Sequence, residues 1–223
     1  MRTFLQHLFF KRLARHLRRP GGWFGKKVGK KMNAANAYLY DATLNIMQPA
    51  NNEAILEIGF GNGKFFDKIF ARAGGLELAG LDFSEKMVEE AIKNNADQLA
   101  SGKLQLHYGN SDHLPFADNS FDKVFCINVV YFWDSPARHL EEIWRVLKPG
   151  GKFYSIIRSK ESIQQMPFAN YGFIKYEQSE WIDILQSHCL KIRETRTIKE
   201  PEAMLKGKQY PVESWCFIAS KEN

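Results

Sequence analysis

The sequence has few cysteines and no long apolar run. Its three cysteines, Cys126, Cys189 and Cys216, stand far apart, without a Cys-x-x-Cys pair or a Cys/His cluster. This odd, scattered set makes a poor disulfide framework and suggests no zinc site, so reduced thiols are expected. The longest apolar run, Val124–Trp133, has ten residues, whereas a membrane-spanning helix needs about 20. We therefore expect a globular cytoplasmic protein without a metal.

Acidic residues are absent from the first 40 positions. Residues 1–40 contain ten of the 31 Lys and Arg residues and none of the 25 Asp and Glu residues. The rest of the chain carries 21 basic and 25 acidic side chains, so a mildly acidic domain is joined to a strongly basic arm. We expect a helical arm or cap over residues 1–50 and a globular domain over residues 51–223.

The arm has the pattern of an amphipathic helix followed by a second helical segment. Leu5, Phe9, Leu13 and Leu17 are spaced by four and share one helical face. Residues 20–22, Pro-Gly-Gly, end this helix, and a second helical segment is expected from Trp23 to about Met47. Since serine is absent before Ser84, a mitochondrial presequence is disfavoured although the arm is Arg-rich.

Three roles of the arm stay open at this point. It can cover a substrate, lie with residues 1–31 on an anionic membrane surface, or contact nucleic-acid phosphates. We favour a cap that also prefers anionic or amphipathic partners, and we expect peripheral membrane association rather than nucleic-acid binding.

After residue 50 short strands alternate with helices. Such alternation predicts a parallel sheet with right-handed crossovers. The expected fold is α/β, a Rossmann-like, doubly wound, seven-stranded, mostly parallel sheet with helices on both faces and an N-terminal helical extension. Residues 159–175 and 200–212 are predicted as loops. The predicted strands cover residues 54–59, 76–83, 103–108, 123–128, 152–158, 191–199 and 213–220.

A glycine-rich turn follows the first predicted strand. Gly59, Gly61 and Gly63 allow positive φ and a close approach of the backbone to a ligand. Asp82 ends the second strand, where a carboxylate can accept hydrogen bonds from ribose hydroxyls. The spacing is G-x-G-x-G, and Lys64 stands where the dinucleotide fingerprint has its third glycine or alanine. The pattern therefore predicts a nucleoside-containing cofactor and argues against a dinucleotide oxidoreductase.

Four segments in order resemble the class I S-adenosylmethionine (SAM)-dependent methyltransferases, in the small-molecule subgroup with the methyltransferase-11 type domain. The resemblance covers roughly residues 50–160. It implies a SAM-dependent methyl transfer to a small, lipophilic or anionic acceptor, with S-adenosylhomocysteine (SAH) as product and no metal. The segments are ILEIGFGNGKF (55–65), LDFSEKMVEEA (81–91), GNSDHLPFADNSFDKVFCINVVYFW (109–133) and EEIWRVLKPGGKF (141–153).

The resemblance also implies roles for matching residues. The glycine turn would wrap the methionine part and the sugar, supported by Glu57, while Asp82 would hold the ribose. Phe83 would pack on adenine, Asn110 would accept from the adenine amino group, and Ser111 would offer its backbone N–H. The cofactor-binding residues implied are Glu57, Gly59, Gly61, Asn62, Gly63, Asp82, Phe83, Asn110, Ser111 and Asn128.

The catalytic base is not determined by the sequence. His113, Tyr131 and Tyr38 are weak candidates, because they fall near the strand ends or in the arm. Asn128 and Tyr131 match the ends of the Asn-Pro-Pro-Tyr motif of nucleic-acid amino-methyltransferases, but both prolines are missing. A nucleic-acid methyltransferase and a non-catalytic SAM-binding protein stay open as alternatives, as do the acceptor, the methylated atom and the oligomeric state.

Overall fold

A computed structural model describes residues 2–205 and 208–222. Its centre is one seven-stranded sheet with strand order β3-β2-β1-β4-β5-β7-β6. β7 runs antiparallel to both of its neighbours, and the other pairs are parallel. The predicted fold class is thereby confirmed. The strands are β1 (Ala54–Ile58), β2 (Glu77–Asp82), β3 (Leu104–Tyr108), β4 (Phe121–Ile127), β5 (Leu147–Arg158), β6 (Leu190–Leu205) and β7 (Lys208–Lys221).

Helices cover both faces of the sheet. One face packs against α2, α3 and α4, and the other against α6 and α8. Within the described residues, no helix is long and apolar enough to cross a membrane. The helices are α1 (Arg2–Arg18), α2 (Gly22–Met47), α3 (Phe66–Phe70), α4 (Glu85–Asn94), α5 (Ala96–Ala100), α6 (Pro136–Val146), α7 (Lys160–Gln164) and α8 (Gln178–Ser187), with 3₁₀ turns at Val130–Phe132 and Pro167–Asn170.

The central strands are buried on both faces, which explains their nearly continuous apolar sequences. In β4, Val124 and Cys126 enter the core under α6 and α8, while Phe125 and Ile127 enter the core under α2. By the same alternation Glu57 of β1 points toward the α2 face. An acidic side chain therefore lies inside an apolar layer.

The arm is joined to the domain by both of its helices. Leu39, Leu44 and Met47 of α2 are buried in the same core as β1 and β4. Beyond α1, the Ser84 hydroxyl donates to the Pro20 carbonyl at 2.6 Å. Because of these contacts, the α1–α2 connection lies beside the end of β2.

The two predicted loops contain regular structure, so that prediction was wrong. Residues 160–164 form α7, which begins at a Ser159 side chain that accepts from the Ser162 backbone N–H. β6 and β7 extend through most of residues 200–212, although Lys206 and Gly207 lie outside the described residues. The sequence did not indicate this hairpin because Pro201 and Pro211 lie within it, and proline cannot donate a hydrogen bond to a strand ladder. Both prolines fall where the β6–β7 register shifts, between Glu200 and Ala203.

A backbone constraint at Gly151, in β5, leads to a stability prediction. A Cβ at this position would lie 2.8 Å from the Lys148 carbonyl oxygen and 3.1 Å from that of Phe121. Because backbone carbonyls cannot move aside cheaply, Gly151→Ala should destabilise the fold by about 1–3 kcal/mol. Thermal or urea unfolding measures this loss. The control is Gly74→Ala, whose Cβ would make only an ordinary contact at 3.7 Å; equal stability of the two variants would contradict the expectation.

Candidate active site

The strand order reverses beside β1, and a cavity of about 280 Å³ opens there, at the carboxyl ends of β1, β2 and β4. In open α/β sheets this switch point is the usual ligand site. We call this space the first cavity. Helices α1 and α2 form its roof. Its lining includes Leu17, Met32, Asn33, Asn36, Tyr40, Gly59, Gly61, Asn62, Asp82, Phe83, Asn110, Ser111, Asn128, Phe132, Trp133, Arg138 and His139.

The glycine turn has the backbone geometry predicted from the sequence. Gly59, Gly61 and Gly63 have φ values of 80°, 61° and 67°, which a side chain would strain. A Cβ at Gly59 would approach Val129 to 2.4 Å, whereas one at Gly61 would meet no atom within 4 Å. Gly59 is thus required by packing, and Gly61 leaves open space beside the cavity.

Asp82 is held by two backbone donors at the end of β2. Its Oδ1 accepts from the Ser84 N–H and its Oδ2 from the Gly61 N–H, each at 2.8 Å. Burial raises the pKa of Asp82 to about 6, because desolvation outweighs these two hydrogen bonds. Each carboxylate oxygen has a second acceptor position, so Asp82 can still accept from two ligand hydroxyls.

Glu57 is the second buried acid of the site. It is 2% exposed, and the Tyr40 hydroxyl donates to its Oε1. Burial, followed by repulsion from Asp82, raises the pKa of Glu57 well above its usual range. The residue lies beneath the glycine turn and binds α2 to β1 through Tyr40.

The residues predicted to meet an adenine gather at one end of the first cavity. Phe83 is 39% exposed, with the Arg19 guanidinium 4.9 Å from its ring centre. Asn110 is exposed, and its side-chain amide donates to Asp112 at 2.8 Å. Ser111 is buried and shares a 2.7 Å hydrogen bond with His139 Nδ1.

Asn62 and Asn128 line the same cavity and contact the arm. The Asn33 side-chain amide donates to Asn62 Oδ1 at 3.0 Å, and that of Asn128 donates to Asn36 Oδ1 at 3.2 Å. Asn128 has φ 59°, a left-handed conformation that asparagine tolerates better than most residues. The structure therefore places all ten predicted cofactor residues at or directly around the glycine turn and the strand ends, although Glu57 and Gly63 do not line the cavity.

Sequence reasoning missed Asn33, Asn36 and His139 among the lining residues. Asn33, Asn36 and Tyr40 are spaced by three and four in α2, a polar stripe that could have identified its cavity face. Trp133 and His139 stack with ring centres 4.6 Å apart. Burial lowers the pKa of His139 to about 4, so this ring is neutral at physiological pH.

The three weak catalytic candidates lie in different places. His113 is exposed and does not line the first cavity. Tyr38 and Tyr131 line a second cavity, of about 500 Å³, between α1, α2, α7 and the ends of β5 and β6. Burial raises the pKa of Tyr131, so its phenol stays protonated at neutral pH; it donates to Asn128 Oδ1 at 3.0 Å.

The described part of the chain contains no cluster of three or more His, Cys, Asp or Glu side chains with suitable spacing for an ion.

The fold and this site are those of the class of α/β proteins that bind a nucleoside-containing cofactor at a glycine turn. Comparison with known proteins defines the family. Residues 56–155 match the methyltransferase domain family model, Methyltransf_11. The uncharacterized methyltransferase YdaC of Bacillus subtilis (strain 168) is 30% identical over 135 residues, which cover 60% of this chain and 72% of that protein.

A curated relative and a solved structure agree with this family. The ubiquinone/menaquinone biosynthesis C-methyltransferase UbiE of Geotalea daltonii is 33% identical over 46% of this chain and 44% of its own length. A SAM-dependent methyltransferase from Aquifex aeolicus has the same fold, with a TM-score of 0.69 and 20% identity over 86% of this chain and 96% of that one. The chain belongs to the class I SAM-dependent methyltransferases.

The buried position of Glu57 has a consequence for stability. A carboxyl group whose pKa is raised on folding contributes stability that is complete below its ordinary pKa and is lost as the pH rises through the raised value. Glu57→Gln cannot ionise and keeps an acceptor for Tyr40. The free energy of unfolding of Glu57→Gln, measured relative to that of the wild type, should therefore increase as the pH rises from 4 to 8.

Urea unfolding at several pH values measures this difference. The matched control is Glu77→Gln in neighbouring β2, where the side chain is exposed. The same pH dependence in both variants would contradict a role for burial.

Proposed function

We propose that the first cavity holds SAM and that the chain transfers its methyl group to a small, lipophilic acceptor. The single observation that carries the cofactor assignment is the Asp82 carboxylate, fixed by Gly61 and Ser84 at the cavity wall. Two acceptor positions remain on a carboxylate so placed, and they match the two hydroxyls of a ribose. The open space beside Gly61 gives the sugar and the methionine part room above the turn.

The remaining residues suggest the direction in which the cofactor lies. Phe83, Asn110 and Ser111 would contact the adenine end, with the Trp133–His139 stack behind them. Asn128 would lie beside the methionine end, at the carboxyl end of β4. The sulfonium of SAM supplies a reactive methyl group. The protein then needs to align an acceptor with that group and to exclude water.

We propose the arm as the cap that excludes water. Asn33, Asn36 and Tyr40 bind the glycine turn, Asn128 and Glu57 from above. At the other end of the cavity Arg18 forms a 3.0 Å ion pair with Asp134. These contacts cover the cavity on the side of the arm. A covered site of this kind suits a small molecule better than a base within a nucleic acid.

The cofactor assignment predicts the pH dependence of SAH binding. Ionised Asp82 accepts from the ribose, whereas protonated Asp82 has lost part of that capacity. Since the pKa of Asp82 is raised to about 6, the affinity for SAH should be constant above pH 7 and fall as the pH decreases below about 6. Isothermal calorimetry measures the dissociation constant across this range.

Asp82→Asn tests whether this residue causes the effect. It should weaken SAH binding at pH 7.5 by at least about tenfold, since hydrogen bonds to a charged group contribute roughly 1.5–3 kcal/mol, and it should flatten the pH profile. Asp97→Asn, on exposed α5, should behave like the wild type. If neither SAM nor SAH binds below millimolar concentration, or if NADH binds instead, the proposal is wrong.

We also propose that α1 rests on an anionic membrane surface, which would make this cytoplasmic enzyme peripheral. Leu5, Leu8 and Phe9 are about half exposed on α1, next to the exposed basic residues Lys11 and Arg15. Exposed apolar side chains beside basic ones favour a lipid interface, since phosphate contacts with nucleic acid need no apolar groups. The side chains of residues 1–4, 23–27 and 30, within the proposed 1–31 contact, lie outside the described ones.

Vesicle sedimentation tests this contact. The protein should bind vesicles of phosphatidylglycerol and phosphatidylcholine, with an affinity that decreases as salt increases, and should bind pure phosphatidylcholine weakly. Phe9→Asp should lower the affinity by about tenfold, because burying one large apolar side chain contributes roughly 1.5–3 kcal/mol. Ile92→Asp, an equally exposed apolar position on α4, is the control. Equal losses in both variants would contradict the proposal.

A further inference from the structure

The second cavity adjoins the first one. The two linings share Leu17, Met32, Asn36, Asn128 and Phe132. Of these, Asn128 and Phe132 follow β4, where the proposed function places the methionine part of the cofactor. The other three belong to α1 and α2. A molecule in the second cavity would therefore face the transferable methyl group across these side chains.

The lining of the second cavity is mostly apolar. α1 and α2 contribute one side, and α7 with the following 3₁₀ turn contributes another. Its volume of about 500 Å³ falls in the range of small-molecule sites, which are usually apolar with a few placed polar groups. The apolar side chains include Leu13, Leu17, Val28, Met32, Ile163, Met166, Phe168, Phe173, Ala203 and Val212.

One buried ion pair interrupts this apolar surface. Arg158, the last residue of β5, donates from Nε and Nη2 to Glu200 of β6 at 3.2 and 3.0 Å. The side chains are 15% and 4% exposed, and Ser214 also donates to Glu200. Glu200 stands at the irregularity in the β6–β7 pairing; such bulges re-aim side chains. The extended part of the β6–β7 hairpin, which was not predicted from the sequence, therefore places the pair in the cavity wall.

The ion pair has hydrogen-bonding capacity beyond its own two contacts. A guanidinium has five N–H donors, and two of them serve Glu200. A wholly apolar occupant would desolvate the pair without compensation, which is costly. A polyanion would find the Arg158 charge already neutralised by Glu200. The best match is one uncharged or weakly acidic oxygen group.

A chain of hydrogen bonds connects this pair to the junction of the cavities. The backbone N–H of Arg158 donates to the Tyr131 hydroxyl, which donates to Asn128 Oδ1. Asn128 in turn donates to Asn36 of α2. Tyr131 is therefore a positioning residue that fixes Asn128 relative to Arg158.

We propose that the second cavity binds the methyl acceptor, and that this acceptor has an apolar body of ring size with one hydroxyl or carbonyl group set against Arg158. This inference rests on the proposed function for the identity of the first cavity. It adds the location of the acceptor, its chemical class and the residue pair that selects its polar group.

Binding of 2-naphthol and naphthalene to the SAH-saturated protein tests the proposal, with intrinsic naphthalene fluorescence as the readout. The two probes differ by one hydroxyl. We expect 2-naphthol to bind about tenfold more tightly than naphthalene, because a hydrogen bond to a charged group contributes roughly that factor. SAH affinity is measured separately by calorimetry for every variant.

Two variants separate the apolar body from the polar group. Ala203→Phe fills the cavity and should weaken both probes at least tenfold, whereas Thr197→Phe, exposed on the same strand, should not. Arg158→Gln combined with Glu200→Gln leaves no unpaired buried charge and should bring the ratio of the two probe affinities close to one. Its matched control is Arg196→Gln with Glu194→Gln, which removes an exposed ion pair of the same type.

The outcomes distinguish the two proposals. Failure of the wild type to bind SAH would overturn the proposed function itself. Normal SAH binding without 2-naphthol binding, unchanged probe affinity in Ala203→Phe, or an unchanged probe ratio in the Arg158/Glu200 variant would overturn the acceptor site alone. Loss of 2-naphthol together with retained SAH affinity in Ala203→Phe supports it.

Discussion

The reversal of strand order beside β1 is the constraint on which the molecule depends. With β2 on one side and β4 on the other, the connections after β1 and β4 leave in opposite directions and open a crevice between them. Buried strands cannot leave their terminal polar groups unsatisfied. The glycine turn, Asp82 and Ser84 meet this demand at one wall. At the other wall, α2 contacts Asn128 and Glu57 through the side chains of Asn36 and Tyr40.

Two carboxyl groups at this crevice are kept in surroundings that disfavour their charge. Burial and mutual repulsion raise the pKa of Glu57, and burial raises that of Asp82. Folding must therefore tolerate electrostatic strain that a ribose and a cationic cofactor would relieve. This is a stability cost located at the proposed cofactor site, and perturbed pKa values are commonly found at such sites. Tyr40 of the arm is part of this arrangement, because its hydroxyl donates a hydrogen bond to the buried Glu57 carboxyl group.

The contacts of the basic arm show which of its surfaces face the cavity and which stay exposed. Its charge alone was compatible with a membrane, a nucleic acid or a cap. The structure directs the polar face of α2, Asn33, Asn36 and Tyr40, toward the crevice. The apolar residues Leu5 and Phe9 of α1 stay exposed. The two helices thus present different chemistry to the cavity and to the surroundings, and the net charge of +6 describes neither surface.

Much of this protein is determined by its sequence alone. Apolar runs separated by glycine and proline specify the central strands, because a strand buried on both faces needs an almost continuous apolar sequence. The edge strand β3 is indicated by alternation instead. The glycine turn and Asp82 were recognisable because positive φ and a strand-end acid are local requirements. The extension of the β6–β7 hairpin through most of residues 200–212 and the Arg158–Glu200 pair were decided only by the tertiary structure. Pairing with β7 carried β6 past Pro201, and residues 42 positions apart met only because that hairpin folds beside the end of β5. Local sequence patterns determine backbone conformation. The second cavity, in contrast, is formed by side chains from segments that are far apart in the sequence, and no local pattern specifies that these segments come together.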